Sequence, residues 1–146
     1  MSDLPYANNY SELLVYQKTL DLAGSIFKNT RNFPKEEQFS LTDQIRRSSR
    51  SVGAQIAEAW AKRRYPKHFA SKLTDADGEQ LETQHWLGIA YDCNYISAEI
   101  HDELDALCLE IGKMLGSMIR QTEKFSGSGG SYLSEDPLPY LSDSAL

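Results

Sequence analysis

A chain of 146 residues, 40% apolar and with a formal charge of −6, is long enough for one domain around one core and too short for two. The acidic balance excludes a general nucleic-acid coat protein, which needs a basic excess to meet phosphate, so any such contact must be local. The opening Met1-Ser2-Asp3-Leu4-Pro5-Tyr6 has neither a basic region nor an apolar run, and no later segment approaches the roughly 18 consecutive apolar residues of a membrane helix, so a soluble, unexported cytoplasmic protein with no membrane contact is expected.

Residues 1–9 carry Pro5, Asn8 and Asn9 and read as a short arm with a cap near its end. A first helix follows, because Leu14, Val15, Leu22, Ile26 and Phe27 recur at three- and four-residue steps until Phe33-Pro34 stops them. Ser40-Leu41-Thr42-Asp43 matches the capping-box pattern, so a second helix is expected to begin near Leu41. On it, Ile45, Val52 and Ile56 fall within about 40° of one another and form the core stripe. This helix ends around residues 61–64, and Tyr65-Pro66 opens a third, with proline where no N–H is needed. The third helix runs to about Asp92, with an apolar stripe of Phe69, Leu73, Ala76, Leu81, Leu87 and Tyr91 interrupted by Gln80 and Gln84. Ser97 caps the fourth, with Glu99 in its first turn where the helix dipole favours negative charge; Ile100, Leu104, Leu107, Cys108, Ile111, Leu115, Met118 and Ile119 carry its periodicity.

Four long amphipathic helices with short connections and no convincing strand predict an all-α, antiparallel up-and-down four-helix bundle over residues 10–125. From residue 126 the composition changes abruptly. Ser126-Gly127-Ser128-Gly129-Gly130-Ser131 reads as a flexible linker, and the remainder to residue 146 as an acidic, disordered tail. The tail mixes apolar and acidic residues, a pattern that also suits a docking segment. Cys93 and Cys108 lie in apolar-periodic segments without metal-like clustering and are expected to be reduced.

The second helix and its end concentrate the unusual features. Gly53, Ala54, Ala57 and Ala61 make a strip of small side chains beside the core stripe. Glycine inside a helix costs about 1 kcal/mol relative to alanine, so Gly53 calls for a close contact. That contact is either with a helix of the same subunit or across a subunit interface. Between Gln44 and Leu73, the basic residues Arg46, Arg47, Arg50, Lys62, Arg63, Arg64, Lys67 and Lys72 meet a single acid, Glu58. Such a patch is the footprint that a phosphate backbone requires. The competing reading is structural: Arg47 or Arg50 pairs with Glu58, and basic side chains at the helix end answer its dipole.

Evidence for catalytic chemistry is thin. Glu82-Thr83-Gln84-His85 is a Glu-x-x-His, which di-iron bundles use in pairs, but it occurs once, and His68, His85 and His101 share no ligand spacing. Neither a phosphate loop nor a nucleophile with a recognisable base appears. The sequence therefore predicts no metal, no cofactor and no enzymatic activity.

Four separated segments carry a resemblance. Leu14-Val15-Tyr16-Gln17-Lys18, the run from Phe33 through Ser48, Ser51-Val52-Gly53-Ala54-Gln55-Ile56-Ala57-Glu58-Ala59 and Leu81-Glu82-Thr83-Gln84 resemble the bacterial four-helix-bundle family encoded by intervening sequences in 23S ribosomal RNA genes, over about residues 9–123. The resemblance implies a homopentamer around a central channel. It also implies a link to the accessory variability determinant of diversity-generating retroelements, a basic pentamer that binds nucleic acid and a reverse transcriptase. Arg46, Arg47, Ala57 and Glu58 match the family pattern, whereas Ala59 stands for a glycine and Gly53 for a proline. The resulting expectation is a homo-oligomer with Gly53, Ala54, Ala57, Glu58 and Arg47 at its interface. RNA or DNA would meet Lys62, Arg63, Arg64, Lys67, Arg46 and Arg50. The alternative is a scaffold whose arginines are used in oligomer salt bridges and whose tail docks a protein partner.

Overall fold

In the computed structural model, residues 7–126 are described, so most of the expected arm and the tail beyond residue 126 lie outside the described residues. Asn9 opens the bundle by accepting the Ser11 N–H at 2.9 Å and starting a 3₁₀ turn, Tyr10–Glu12, that leads into α1 (Leu14–Thr30). Pro34 cannot continue a helix; it introduces the short 3₁₀ turn Lys35–Glu37 before α2 (Leu41–Trp60). Then come α3 (Pro66–Asp92), α4 (Ala98–Arg120) and a closing 3₁₀ turn, Thr122–Phe125. Each helix packs on its sequence neighbours, and α4 also returns to α1, which makes the all-α up-and-down four-helix bundle.

The helix ends follow local chemistry, with one correction. Ser97 caps α4, its Oγ accepting the Ile100 N–H at 3.1 Å. At α2 the expected capping box is not formed. Ser40 has no side-chain cap bond, and its backbone sits at ψ −107°, away from the extended value that aims a cap hydroxyl into the first turn. Glu37 takes over: its Oε1 accepts the Leu41 N–H at 3.3 Å, while its Oε2 accepts the Tyr95 hydroxyl at 2.9 Å. That bond, ahead of burial, pushes the Tyr95 phenol up to about 12. One carboxylate thus ties the α1–α2 connection to the α3–α4 connection. Tyr95 is positioned for this by the end of α3. Asn94 takes the left-handed conformation (φ 64°), so the Asn94 N–H reaches the Tyr91 carbonyl and the Tyr95 N–H reaches the Ala90 carbonyl, both at 2.9 Å.

The core stripe of α2 is as the periodicity predicts, with Ile45, Val52 and Ile56 no more than 1% exposed. On α3 the stripe is different. The buried positions are Phe69, Leu73, Ala76, Gln80, Thr83, Leu87 and Ala90, alternating steps of four and three, while Leu81 and Tyr91 face outward. Of the two glutamines expected to interrupt the stripe, Gln84 is half-buried beside this seam and Gln80 belongs to it, as does Thr83, because each polar group finds a partner. Thr83 donates to the Glu79 carbonyl at 2.9 Å, so the Ser48 hydroxyl, also at 2.9 Å, is the donor across α2–α3. The Gln80 amide donates to Asp77 at 2.9 Å and accepts from Gln84 at 2.6 Å. Room for it comes from Gly112 on α4, where a Cβ would lie 2.8 Å from Gln80 Nε2. Phe27, assigned by periodicity to the stripe of α1, is 41% exposed instead. Cys93 and Cys108 are free thiols, and burial, with Asp105 adding to it, pushes Cys108 up to about 12.

The close contact at Gly53 is made within the subunit. A Cβ there would come 2.8 Å from Thr19 Oγ1 and 3.4 Å from Tyr16 on α1. Of the expected oligomer-interface residues, Gly53 is therefore used by the bundle itself. Gly53→Ala is expected to destabilise the fold by about 1–3 kcal/mol through overpacking. Adding Thr19→Ala, which removes the clashing oxygen, should recover part of that loss in a urea-unfolding double-mutant cycle. At the α3 end, Asn94→Ala should cost about 1 kcal/mol, and Asn94→Gly should cost nothing measurable, because only a residue tolerant of positive φ suits the cap.

Candidate nucleic-acid interface

Once Gly53 fixes the rotation of α2 against α1, the basic side chains go to three places. Toward the start of the helix, the Arg46 guanidinium lies 4.8 Å from the centre of the Phe27 ring, with Arg50 at 5.8 Å and Arg31 at 5.9 Å. Each cation over a half-exposed ring contributes about 0.5–1 kcal/mol. Arg46 Nε also donates to Thr30 Oγ1 at 2.8 Å, and the Thr30 hydroxyl in turn donates to the Ile26 carbonyl, also at 2.8 Å. Alongside is an open groove of about 640 Å³ lined by Phe39, Asp43, Arg46, Arg47, Arg50 and Ala54 among others, with Phe39 86% exposed.

Arg47 turns the other way, toward α3. Its Nη2 donates to Glu82 Oε2 at 2.6 Å, and its Nη1 stands 3.7 Å from Glu79 Oε1, an ion pair too long for a hydrogen bond. Trp86 Nε1 donates to the same Glu82 oxygen at 3.0 Å. The Trp86 bond first, and Arg47 after it, hold the Glu82 carboxyl below its usual range against the opposing effect of burial. The expected pairing of Glu58 with Arg47 or Arg50 does not occur. Eight and eleven residues along a helix are about 12 and 16 Å, beyond a direct side-chain pair. Glu58 pairs instead with Lys72 of the antiparallel α3, at 3.1 Å.

The third place is the end of α2 and the turn into α3. Arg63 folds back, donating to the Trp60 carbonyl at 3.0 Å with its guanidinium 4.4 Å from the Trp60 ring centre. Lys62, Arg64 and Lys67 are exposed and form no ion pair among the described residues. Tyr65, 62% exposed, meets His68 edge-on at 6.1 Å, and Ala61, Lys62, Tyr65 and His68 line a shallow pocket of about 270 Å³. Twelve residues of helix, about 18 Å, separate Lys62 from Arg50. The residues expected to form one nucleic-acid surface therefore fall into two: Arg46 and Arg50 on Phe27, and Lys62, Arg63, Arg64 and Lys67 at the turn.

The expected interface strip divides likewise. Ala54, Ala61 and Glu58 are exposed and Ala57 is half-buried, so the outward side of α2 beyond Arg50 is low and smooth. The sequence did not single out Phe27, Arg31 or Phe39 as part of a surface. The four-residue spacing of Phe27 and Arg31 was a readable signal; their meeting with Arg46 and Arg50 depends on helix packing. Of the Glu-x-x-His pair, Glu82 is committed to Arg47 and Trp86, and His85 packs edge-on against Trp86 at 4.7 Å. Among the described residues, no group of three His, Cys, Asp or Glu side chains is placed to hold a metal, and no helix is long and apolar enough to cross a membrane.

A four-helix bundle whose second helix carries these basic groups is the class defined by the fold and the surface. The chain belongs to the 23S rRNA-intervening sequence protein family, whose sequence model matches residues 11–117. Among solved structures it is similar to a protein of unknown function from the S23 ribosomal protein family of Bacteroides thetaiotaomicron. The two are 33% identical, with 73% of this chain and 99% of that one covered and a TM-score of 0.65. No curated protein matches the chain significantly.

The Arg47–Glu82–Trp86 contact has a pH signature. Because the folded carboxyl sits below its ordinary value of 4.5, its contribution is complete above that value and is lost as pH falls through the folded pKa. Glu82→Gln should therefore flatten the acid side of a stability-against-pH profile below about pH 4.5, while costing no more than about 1 kcal/mol at neutral pH.

Proposed function

We propose that this protein is a non-enzymatic, homo-oligomeric bundle of the cytoplasm that binds the backbone of RNA or DNA through the turn between α2 and α3. The carrying observation is that Lys62, Arg64 and Lys67 stand exposed and without an ion pair among the described residues, in a chain that has 21 acids to 15 basic residues. Lys18, Arg47 and Lys72, by contrast, are all paired with carboxylates. Cations on a turn that carries exposed Tyr65 and His68 suit phosphate contact with adjacent base stacking. Arg63, held flat on Trp60, stiffens that surface.

Purified protein should bind RNA or DNA with an affinity that falls steeply as salt rises. Replacing Lys62, Arg64 and Lys67 with alanine should reduce the slope by about 1 for each phosphate contact removed. Absence of binding even at low salt would reject the reading. The homo-oligomer, a pentamer by family resemblance, is proposed to assemble through the outward side of α2, where Ala54, Ala57 and Ala61 allow close approach and Arg47 and Glu58 flank the contact. Ala54→Arg or Ala57→Arg should lower the mass in light scattering without unfolding the subunit, since Ala54 is exposed and Ala57 half-exposed. Unchanged mass in both would remove this face as the interface.

A second reading, a protein-interaction scaffold, is favoured by Phe39 and the arginine-lined groove beside it. Phe39→Ala should then abolish capture of a protein partner while oligonucleotide affinity stays unchanged.

A further inference from the structure

We propose that the acidic segment of this chain, residues 135–143, docks in cis on residues 62–68 and competes there with phosphate, so that the basic turn is covered until an anionic ligand displaces the tail. This rests on reading the turn as the phosphate-binding surface.

The first argument is where the described chain ends. The closing 3₁₀ turn buries Phe125 to 2% exposure and sets its ring 5.5 Å from Phe69, which lies in the first turn of α3 two residues after Lys67. The following segment therefore sets off beside the basic turn, at the same end of the bundle. The second is charge. Beyond residue 126 the sequence holds Glu135, Asp136 and Asp143 and no Lys, Arg or His, whereas Lys62, Arg64 and Lys67 have no carboxylate among the described residues.

Reach is the third. From Ser126 to Glu135 the chain is mostly glycine and serine, and nine such residues span about 17 Å on average. Arg46 and Arg50 are the other basic group, but they lie about 24 and 18 Å from Lys62 along α2 and already sit on Phe27. The fourth is shape. Tyr132, Leu133, Leu138, Tyr140 and Leu141 bracket Glu135 and Asp136, and the pocket between Lys62, Tyr65 and His68 can receive one such side chain. A short tether raises the local concentration of a segment joined to its target to the millimolar range, so even a weak contact competes with a ligand in solution.

The test uses the full chain and a variant of it carrying Glu135→Gln, Asp136→Asn and Asp143→Asn. Zero-length carbodiimide coupling at low salt, mapped by peptide mass spectrometry, should join Lys62 or Lys67 to the tail carboxylates, and mixing light and heavy protein should give light–light and heavy–heavy links only. The Lys72–Glu58 link, across 3.1 Å, is the internal control. The neutral variant should bind a labelled oligonucleotide about three- to tenfold more tightly than the parent at low salt, with the difference fading as salt is added. If the control link forms and no tail link does, or if the tail links are light–heavy, docking in cis is overturned. Equal oligonucleotide affinity of parent and variant likewise overturns the competition while leaving the nucleic-acid reading intact. Tail links in a protein that binds no oligonucleotide would keep the docking and reject the phosphate-binding role of the turn.

Discussion

The contact of Gly53 with Thr19 and Tyr16 decides how α2 is rotated, and most of the surface follows from that rotation. With no side chain at this position, α2 lies close against Thr19 and Tyr16 of α1. At about 100° per residue, turning α2 so that Gly53 faces α1 sends Arg46, about 20° away, to the α1 side as well and places Arg47, Ala54 and Ala61 within about 40° of one another on the outward side, from which the long Arg47 side chain reaches Glu82 on α3. The arginines on Phe27, the Arg47–Glu82 pair and the smooth outer face are consequences of one small-residue contact.

A polar layer through the middle of the core sets the register of the other helices. Ser48 with Thr83 joins α2 to α3, and Gln80, fitted against Gly112, lies where α3 meets α4. Such groups stabilise less than aliphatic packing would, yet a slide of α3 by one turn breaks the Ser48–Thr83 bond and moves Gln80 off the space at Gly112, which disfavours alternative registers. Leu73 and Leu87 on either side keep the seam apolar, so the polar layer is confined to one level of the bundle. At the end where α1 joins α2, Glu37 serves both connections and couples the two hairpins.

Charge in this acidic chain is sorted by these contacts. Three cations that face a neighbouring helix are paired with carboxylates, Lys18 with Glu110, Arg47 with Glu82 and Lys72 with Glu58, while Arg46 and Arg50 lie on the Phe27 ring. At the turn between α2 and α3, Lys62, Arg64 and Lys67 have no such ion pair among the described residues, so they concentrate positive potential at one end of the bundle. An acidic chain can in this way keep a local surface attractive to anions while its net charge repels them at long range.

The four helices were legible in the sequence because three- and four-residue periodicity, Pro34, Pro66 and Ser97 act over one or two turns of chain. So was the basic concentration around α2, and the family resemblance rested on residues within those same elements. The sequence could not decide partners across helices. Ser40 looked like a cap, yet it makes no side-chain cap bond and Glu37 takes the Leu41 N–H; Gln80 looked like an interruption until Gly112 made space for it; and Glu58 looked like an arginine's partner although Lys72 lies opposite. Linear spacing sets the direction in which a side chain leaves its own helix, whereas what it meets depends on how the helices are rotated and paired. Tertiary structure alone therefore divided one basic stretch into an arginine cluster on Phe27, a salt bridge to α3 and an open, cationic turn.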